Sequence, residues 1–363
     1  VSDKRERLAE SVRPEIRGLQ PYEAEASGPG IRLDANESPF DVPEAFKAGI
    51  LERLRKLPWN RYPDPQAADL RRLLGRWERV PPEQILLGNG SDEIIRDLLT
   101  AYGGPGTRTV FPTPTFSMYR QLTIATGGTP VGIPLGENWE LDGSSVLEAL
   151  AAPASRMLFL ASPNNPTGQV YPAEQIEELV SRTDRLVVVD EAYRLFAGTS
   201  FASRLADHPN LAILNTFSKS MSLAGVRVGY LVAHPEVVDV LNRIRLPYNV
   251  DALAQAVAAE ICRQPEWWQA QAQRVIAERE RLGRALARLP GVRVYPSQAN
   301  FLLLRVPRAD RLRQALAAGD VAVRGFPGAE RLGDCLRVTV GRPEDNDRLL
   351  SLMAASLENE GER

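Results

Sequence analysis

Lys219 sits among hydroxyl residues in Thr216-Phe217-Ser218-Lys219-Ser220-Met221-Ser222, and beyond Lys56 it is the only lysine in the chain. Of 44 basic residues only Lys4, Lys47, Lys56 and Lys219 are lysines; the others are arginines. A sequence that uses arginine wherever a positive charge suffices keeps lysine where arginine cannot serve. An ammonium can lose its proton and attack an aldehyde to form a Schiff base, which a guanidinium cannot do. Composition alone leaves open an accidental surface lysine, and the three N-terminal lysines lie in polar, exposed-looking sequence.

Asp190 closes the apolar run Val187-Val188-Val189-Asp190-Glu191-Ala192-Tyr193. A carboxylate at the end of a buried strand is costly unless a cation meets it. A protonated pyridine nitrogen would be such a cation, and the pairing would keep the ring an effective electron sink. An ATPase could use the same Asp-Glu pair for magnesium, but that reading requires a phosphate-loop lysine motif, and the sequence has none.

Three further stretches offer contacts to anions. In Gly88-Asn89-Gly90-Ser91-Asp92-Glu93 a strand gives way to a helix start, which suits either a phosphate or ordinary turn and capping chemistry. Ser218 and Arg227 flank the Lys219 loop and can face one phosphate, the arginine bidentately. Arg337 lies in the mostly apolar run Leu336-Arg337-Val338-Thr339-Val340, where a buried guanidinium seeks a structural or a substrate anion. Asn165, in Ser162-Pro163-Asn164-Asn165-Pro166-Thr167-Gly168, is either offered to a site at a sheet edge or part of a stiff turn.

These residues fall where apolar runs end. Strands are expected at Ile85–Leu87, Thr109–Phe111, Pro130–Ile133, Met157–Ala161, Leu186–Val189, Ala212–Asn215 and Val228–Val232. Amphipathic helices are expected between them at Asp92–Tyr102, Phe116–Thr126, Ala173–Thr183 and Pro235–Arg245. The alternation implies an α/β fold whose mostly parallel sheet is flanked by helices, with ligands at the strand C-terminal ends. After Pro247 the pattern changes to long helical sequence over Asp251–Leu289, broken near Pro265. Strands at Phe301–Arg305, Val321–Val323 and Leu336–Val340 and a last helix from Pro343 then suggest a smaller α/β domain. The expected division is a 1–40 segment that joins the small domain, a 41–249 large domain and a 250–363 small domain.

A formal charge of -2 gives no footprint for nucleic acid or an anionic membrane, so small-molecule chemistry is the default. No stretch approaches a transmembrane run and the N-terminus has no apolar leader core, so a cytoplasmic protein is expected. Cys262 and Cys335 read as packing residues, so neither a disulfide nor a metal site is expected. His208 and His234 each adjoin a proline, which argues against histidine-based proton transfer.

Taken in this order, the asparagine turn, the Asp190-x-x-Tyr193 strand end, the Ser218-Lys219 loop with Arg227 and the late Arg337 resemble fold-type I pyridoxal-phosphate aminotransferases. Over about Pro21 to Leu350 the sequence is similar in particular to the histidinol-phosphate aminotransferases of that family. The residues that carry this likeness are Leu33-Asp34-Ala35-Asn36-Glu37-Ser38-Pro39, Asn60-Arg61-Tyr62-Pro63-Asp64 and Arg245-Leu246-Pro247-Tyr248-Asn249-Val250.

The resemblance implies a large domain with a seven-stranded sheet and pyridoxal 5′-phosphate as cofactor. Lys219 would anchor the cofactor and shuttle a proton, and Asp190 would pair with the ring nitrogen. Asn165 and Tyr193 would hydrogen-bond the ring 3′-oxygen, and Phe116 would stack on the ring. Ser91, Asp92, Ser218 and Arg227 would hold the phosphate, joined by Tyr62 from a second subunit of a homodimer. Arg337 would bind an α-carboxylate, with Arg324 as a second anion contact and Tyr22 and Asn36 near the substrate. The implied reaction exchanges an amino group between glutamate/2-oxoglutarate and histidinol phosphate/imidazole acetol phosphate. Aromatic aminotransferases and a threonine-phosphate decarboxylase share the scaffold and the lysine.

Overall fold

The apolar runs that end at Ala161 and Asp190 are continuous rather than alternating because helices cover both faces of the sheet they enter. A computed structural model describes residues 4, 8–21 and 30–361, with side chains to 358. Its strands are β1 Ile31–Leu33, β2 Ile85–Asn89, β3 Arg108–Thr113, β4 Thr129–Pro134, β5 Ser155–Ala161 and β6 Leu186–Asp190. They continue with β7 Leu211–Thr216, β8 Val228–Ala233, β9 Arg293–Val294, β10 Phe301–Arg305, β11 Val321–Gly325 and β12 Cys335–Thr339.

The seven predicted strands form one sheet in the order β2-β8-β7-β6-β5-β3-β4. β8 runs antiparallel to both β2 and β7, and the other pairs are parallel. Successive side chains alternate between the faces. Val187 and Val189 therefore join one core with Leu70, Leu74, Ile176 and Ala258, while Leu186 and Val188 join another with Ile94, Leu98, Tyr119 and Leu241. By the same alternation Asp190 belongs to the Tyr119 face. β4 extends over Pro130 and Pro134, which it tolerates because it is the sheet's edge strand.

A second sheet has the order β1-β11-β12-β10-β9. β1 and β9 were not anticipated. They are three and two residues long, too short for a periodicity, and exist because distant strands pair with them. β1 pairs in parallel with β11, bringing the sequence around Asp34–Asn36 beside β12. Leu336 and Val338 enter the core of this sheet with Leu302, Val323 and Leu349. Arg337 and Thr339 consequently point to its opposite face. The predicted break near Pro265 separates the helices Ala252–Cys262 and Pro265–Leu286, the proline occupying the first turn of the second. No helix among the described residues is long and apolar enough to cross a membrane.

Candidate active site

A cavity of about 530 Å³ opens where β5, β6 and β7 end. Asn36, Ser91, Asp92, Phe116, Asn165 and Asp190 line it together with Tyr193, Ser218, Lys219, Arg227 and Arg337. A larger hollow of about 680 Å³ lies by Trp77, Glu78 and Arg194 and is lined by none of the predicted site residues among those described.

Lys219 follows β7 and opens on the cavity, its Nζ donating to the Ala35 carbonyl at 3.0 Å. Its amine is lowered to about 8, chiefly by burial and then by the nearby Arg337 charge. A substantial neutral fraction therefore exists near neutral pH, as a nucleophilic amine needs.

Asp190 is 6% exposed. Its Oδ2 accepts from the Tyr119 hydroxyl at 2.7 Å and its Oδ1 from the Ala192 N–H at 3.0 Å. Burial raises the carboxyl to about 6, and these two hydrogen bonds oppose the rise. A cation in the cavity would complete its neutralisation. Glu191, one residue on, turns the other way and accepts from Phe201 N–H at 2.6 Å and Ser200 Oγ at 2.7 Å, with Arg194 3.4 Å away. The two adjacent acids thus separate into a site residue and a structural one.

The helix Ser91–Tyr102 begins beside Arg227. Arg227 Nη1 donates to Ser218 Oγ at 3.3 Å, and Nη2 to Asp92 Oδ2 at 3.3 Å. Gly90 has φ +75°, and a Cβ there would lie 2.5 Å from Arg227 Nη2. A Cβ on Gly229 would lie 2.4 Å from the Ser91 nitrogen. Only glycines let the helix start and the arginine close on one point, and backbone N–H groups with a guanidinium aimed there suit a phosphate.

Arg337 Nη1 donates to Asn165 Oδ1 at 2.6 Å, its Nη2 donates to the Asp34 carbonyl, and its guanidinium lies over the Phe301 ring. Arg324 is paired directly opposite Arg337 across β11 and β12, hence on the same face, but does not line the cavity. Phe116 precedes the helix Ser117–Ala125 and meets Tyr119 edge-on at 5.6 Å between centroids. Tyr193 Oη accepts from Asn36 Nδ2 at 3.0 Å.

Tyr62 lies outside this chain's cavity, 80% exposed and stacked on Tyr248 at 4.4 Å. Exposed Trp59, Leu246 and Leu253 accompany it on the surface. Tyr22 falls outside the described residues. Away from the cavity, His208 pairs with Glu177 at 2.7 Å and His234 caps the helix Pro235–Asn242.

Sequence reasoning missed Tyr119, Thr339 and Asn300, whose hydroxyl or amide groups hold Asp190 and Asn36. Tyr119 carried a usable signal. Three residues after Phe116 on an amphipathic helix, it had to face the sheet.

The sequence profile of the family described as Aminotransferase class I and II matches residues 29–352. A histidinol-phosphate aminotransferase 2 of Nitrosococcus oceani is 40% identical over 360 residues, covering 98% of this chain and 99% of that one. A histidinol-phosphate aminotransferase of Thermococcus kodakarensis is 40% identical over 342 residues, covering 94% and 97%. The crystal structure of the Sinorhizobium meliloti histidinol-phosphate aminotransferase in complex with pyridoxal-5′-phosphate shares the fold with TM-score 0.86 at 24% identity, covering 96% and 98%. The Porphyromonas gingivalis L-threonine-O-3-phosphate decarboxylase shares it too, with TM-score 0.80 at 24% identity, covering 90% and 99%. Fold alone therefore does not select among these reactions, whereas the profile match and the identity over nearly the whole length do fix the lineage: the chain belongs to the class I and II aminotransferase family.

Proposed function

We propose that this protein is a pyridoxal-phosphate-dependent aminotransferase that moves an amino group between glutamate/2-oxoglutarate and L-histidinol phosphate/imidazole acetol phosphate. The observation that carries the cofactor is one cavity holding a lysine amine of lowered pKa, a buried carboxylate whose hydrogen-bond donors among the described residues are both neutral, and a glycine-walled anion cradle. The substrate pair rests on relatives 40% identical over nearly their full length.

The residues present fit the cofactor. Lys219 would anchor its aldehyde, Asp190 its ring nitrogen, Asn165 and Tyr193 its 3′-oxygen, and Phe116 a ring face. Ser91, Asp92, Ser218 and Arg227 would hold its phosphate. When bound it supplies an electron sink for charge developing at the substrate Cα. Lys219 Nζ, set near 8, can release a proton before reaction and take the one at Cα during it. Arg337 would fix the donor α-carboxylate, its guanidinium already oriented by Asn165 and Asp34. Arg324, on the same face, would serve a second anion, Asn36 lines the cavity, and Tyr22 is proposed with them as a substrate contact.

The homodimer belongs to this reading. Tyr62 is exposed and does not line its own cavity, which suits a residue that reaches a neighbouring site. The division at residues 40 and 249 and a cytoplasmic location are proposed with it. Half-reactions followed by absorbance with histidinol phosphate, phenylalanine and threonine phosphate test the assignment. Histidinol phosphate is expected to react with the highest kcat/KM. Preference for phenylalanine, or carbon dioxide release from threonine phosphate, would overturn it.

A further inference from the structure

Tyr193 is held edge-on to Phe301, with ring centroids 5.2 Å apart, and its hydroxyl accepts from Asn36 Nδ2 at 3.0 Å. A phenol oxygen carries one proton, and a donor aimed at its lone pair cannot also receive that proton. The Tyr193 proton must therefore point away from Asn36. Its direction depends on which end of the Asn36 amide faces the ring, and the surrounding bonds decide that.

The Asn36 backbone N–H, an unambiguous donor, reaches Thr339 Oγ1 at 2.9 Å. Thr339 keeps its own proton to give, and the acceptor at hand is Asn36 Oδ1 at 3.1 Å. With Oδ1 so engaged, Nδ2 is the end left for Tyr193. The Asn36 main chain is fixed as well. Its carbonyl accepts from Asn300 Nδ2 at 3.0 Å, and its φ of 55° is left-handed backbone that asparagine tolerates better than most residues. Asn36, Thr339 and Asn300 are 1%, 2% and 0% exposed, so water cannot stand in for any of them.

We infer that Asn36 is a positioning residue that, oriented by Thr339, makes Tyr193 a hydrogen-bond donor toward the cavity. The inference rests on the cofactor reading above, in which Tyr193 faces the 3′-oxygen. A donated proton there favours the anionic oxygen, which a phenol turned toward an acceptor at Asn36 would not. Asn36→Asp keeps the shape but leaves only acceptors, so it draws the Tyr193 proton away from the cavity. Thr339→Val frees the amide to turn over, with the same result.

The test is a pH titration of the visible absorbance band of the cofactor-loaded protein, with the equilibrium affinity for pyridoxal phosphate as a second readout. Asn36→Asp, Thr339→Val and Tyr193→Phe are each expected to raise the titration midpoint by about one unit and to weaken cofactor binding about tenfold. Thr339→Ser should restore the wild-type midpoint, and Thr339→Val combined with Tyr193→Phe should move it no further than Tyr193→Phe alone. An additive shift in the double variant would overturn the inference. So would an unmoved midpoint with a raised KM for the amino donor, which would make Asn36 a substrate contact instead. Absence of any band in wild-type protein incubated with pyridoxal phosphate would overturn the cofactor reading itself.

Discussion

The Tyr119 hydroxyl donates to Asp190 Oδ2 across 2.7 Å, with the Tyr119 ring stacked on Phe159 at 4.7 Å between centroids. The phenol lies wholly in the core, so this contact is made without competition from water. A hydrogen bond to a buried charge contributes about 1.5–3 kcal/mol. Tyr119→Phe should therefore weaken pyridoxal phosphate binding by roughly ten- to a hundredfold at neutral pH, measured by fluorescence titration of the cofactor-free protein. Unchanged affinity would show that Asp190 does not depend on this donor.

Lys219 makes a pH prediction whose sign is fixed by its lowered value. The neutral amine is the reacting form, so cofactor incorporation should speed up about tenfold per pH unit below about 8 and level off above it. An unperturbed lysine would keep accelerating toward its ordinary 10.5. Stopped-flow absorbance gives the profile, and Lys219→Arg should show no incorporation at any pH.

Asp190 gives the opposite limb. Its carboxyl is raised to about 6 in the cofactor-free chain, so it is protonated below that pH and ionised above it. A ring cation stabilises only the ionised form. Cofactor affinity should accordingly fall as pH drops through about 6, with proton release on binding in that range. Calorimetry in buffers of different ionisation enthalpy would detect the proton, and Asp190→Asn should abolish its release.

At the cradle, Gly90→Ala places a methyl 2.5 Å from Arg227 Nη2 on left-handed backbone at φ +75°. Both effects displace the arginine from the helix start. Affinity for pyridoxal phosphate should drop about tenfold or more while affinity for unphosphorylated pyridoxal barely changes. Equal losses for both would place the damage outside the phosphate contact.

Tyr62 can be tested without a dimer structure. Lys219→Ala and Tyr62→Ala chains, each impaired alone, are refolded together. If Tyr62 serves the neighbouring site, each mixed dimer has one intact site and activity should recover to about a quarter of wild type. No recovery would assign Tyr62 to its own chain or to no site.

Much of this was legible because strand ends and helix starts leave local marks. The all-apolar run before Asp190, the glycine turn before Ser91 and the isolated Lys219 are each read within a few residues. Thr339 and Asn36 could not be joined that way, since they lie 303 positions apart and meet only because β1 pairs with β11. Arg324 shows the same limit. Its alternating neighbours gave it a strand, but only the register opposite Arg337 shows which face it shares, and nothing local reveals that it stops short of the cavity lining.

The hydrogen bond from Arg337 to Asn165 ties β12 of the smaller sheet to the loop after β5 of the larger one. The wall between the two sheets is therefore drawn together at this point before any substrate arrives. In the proposed reading a donor carboxylate would dock on a guanidinium whose heading is already set, so the entropic cost of aligning that wall would fall on folding rather than on binding. An anchor common to every amino-acid donor confers affinity without preference. Histidinol phosphate carries a phosphate ester and no α-carboxylate, so in the proposed reading selection among substrates would draw both on which anion this guanidinium accepts and on the shape of the imidazole, phenyl or methyl group at the other end.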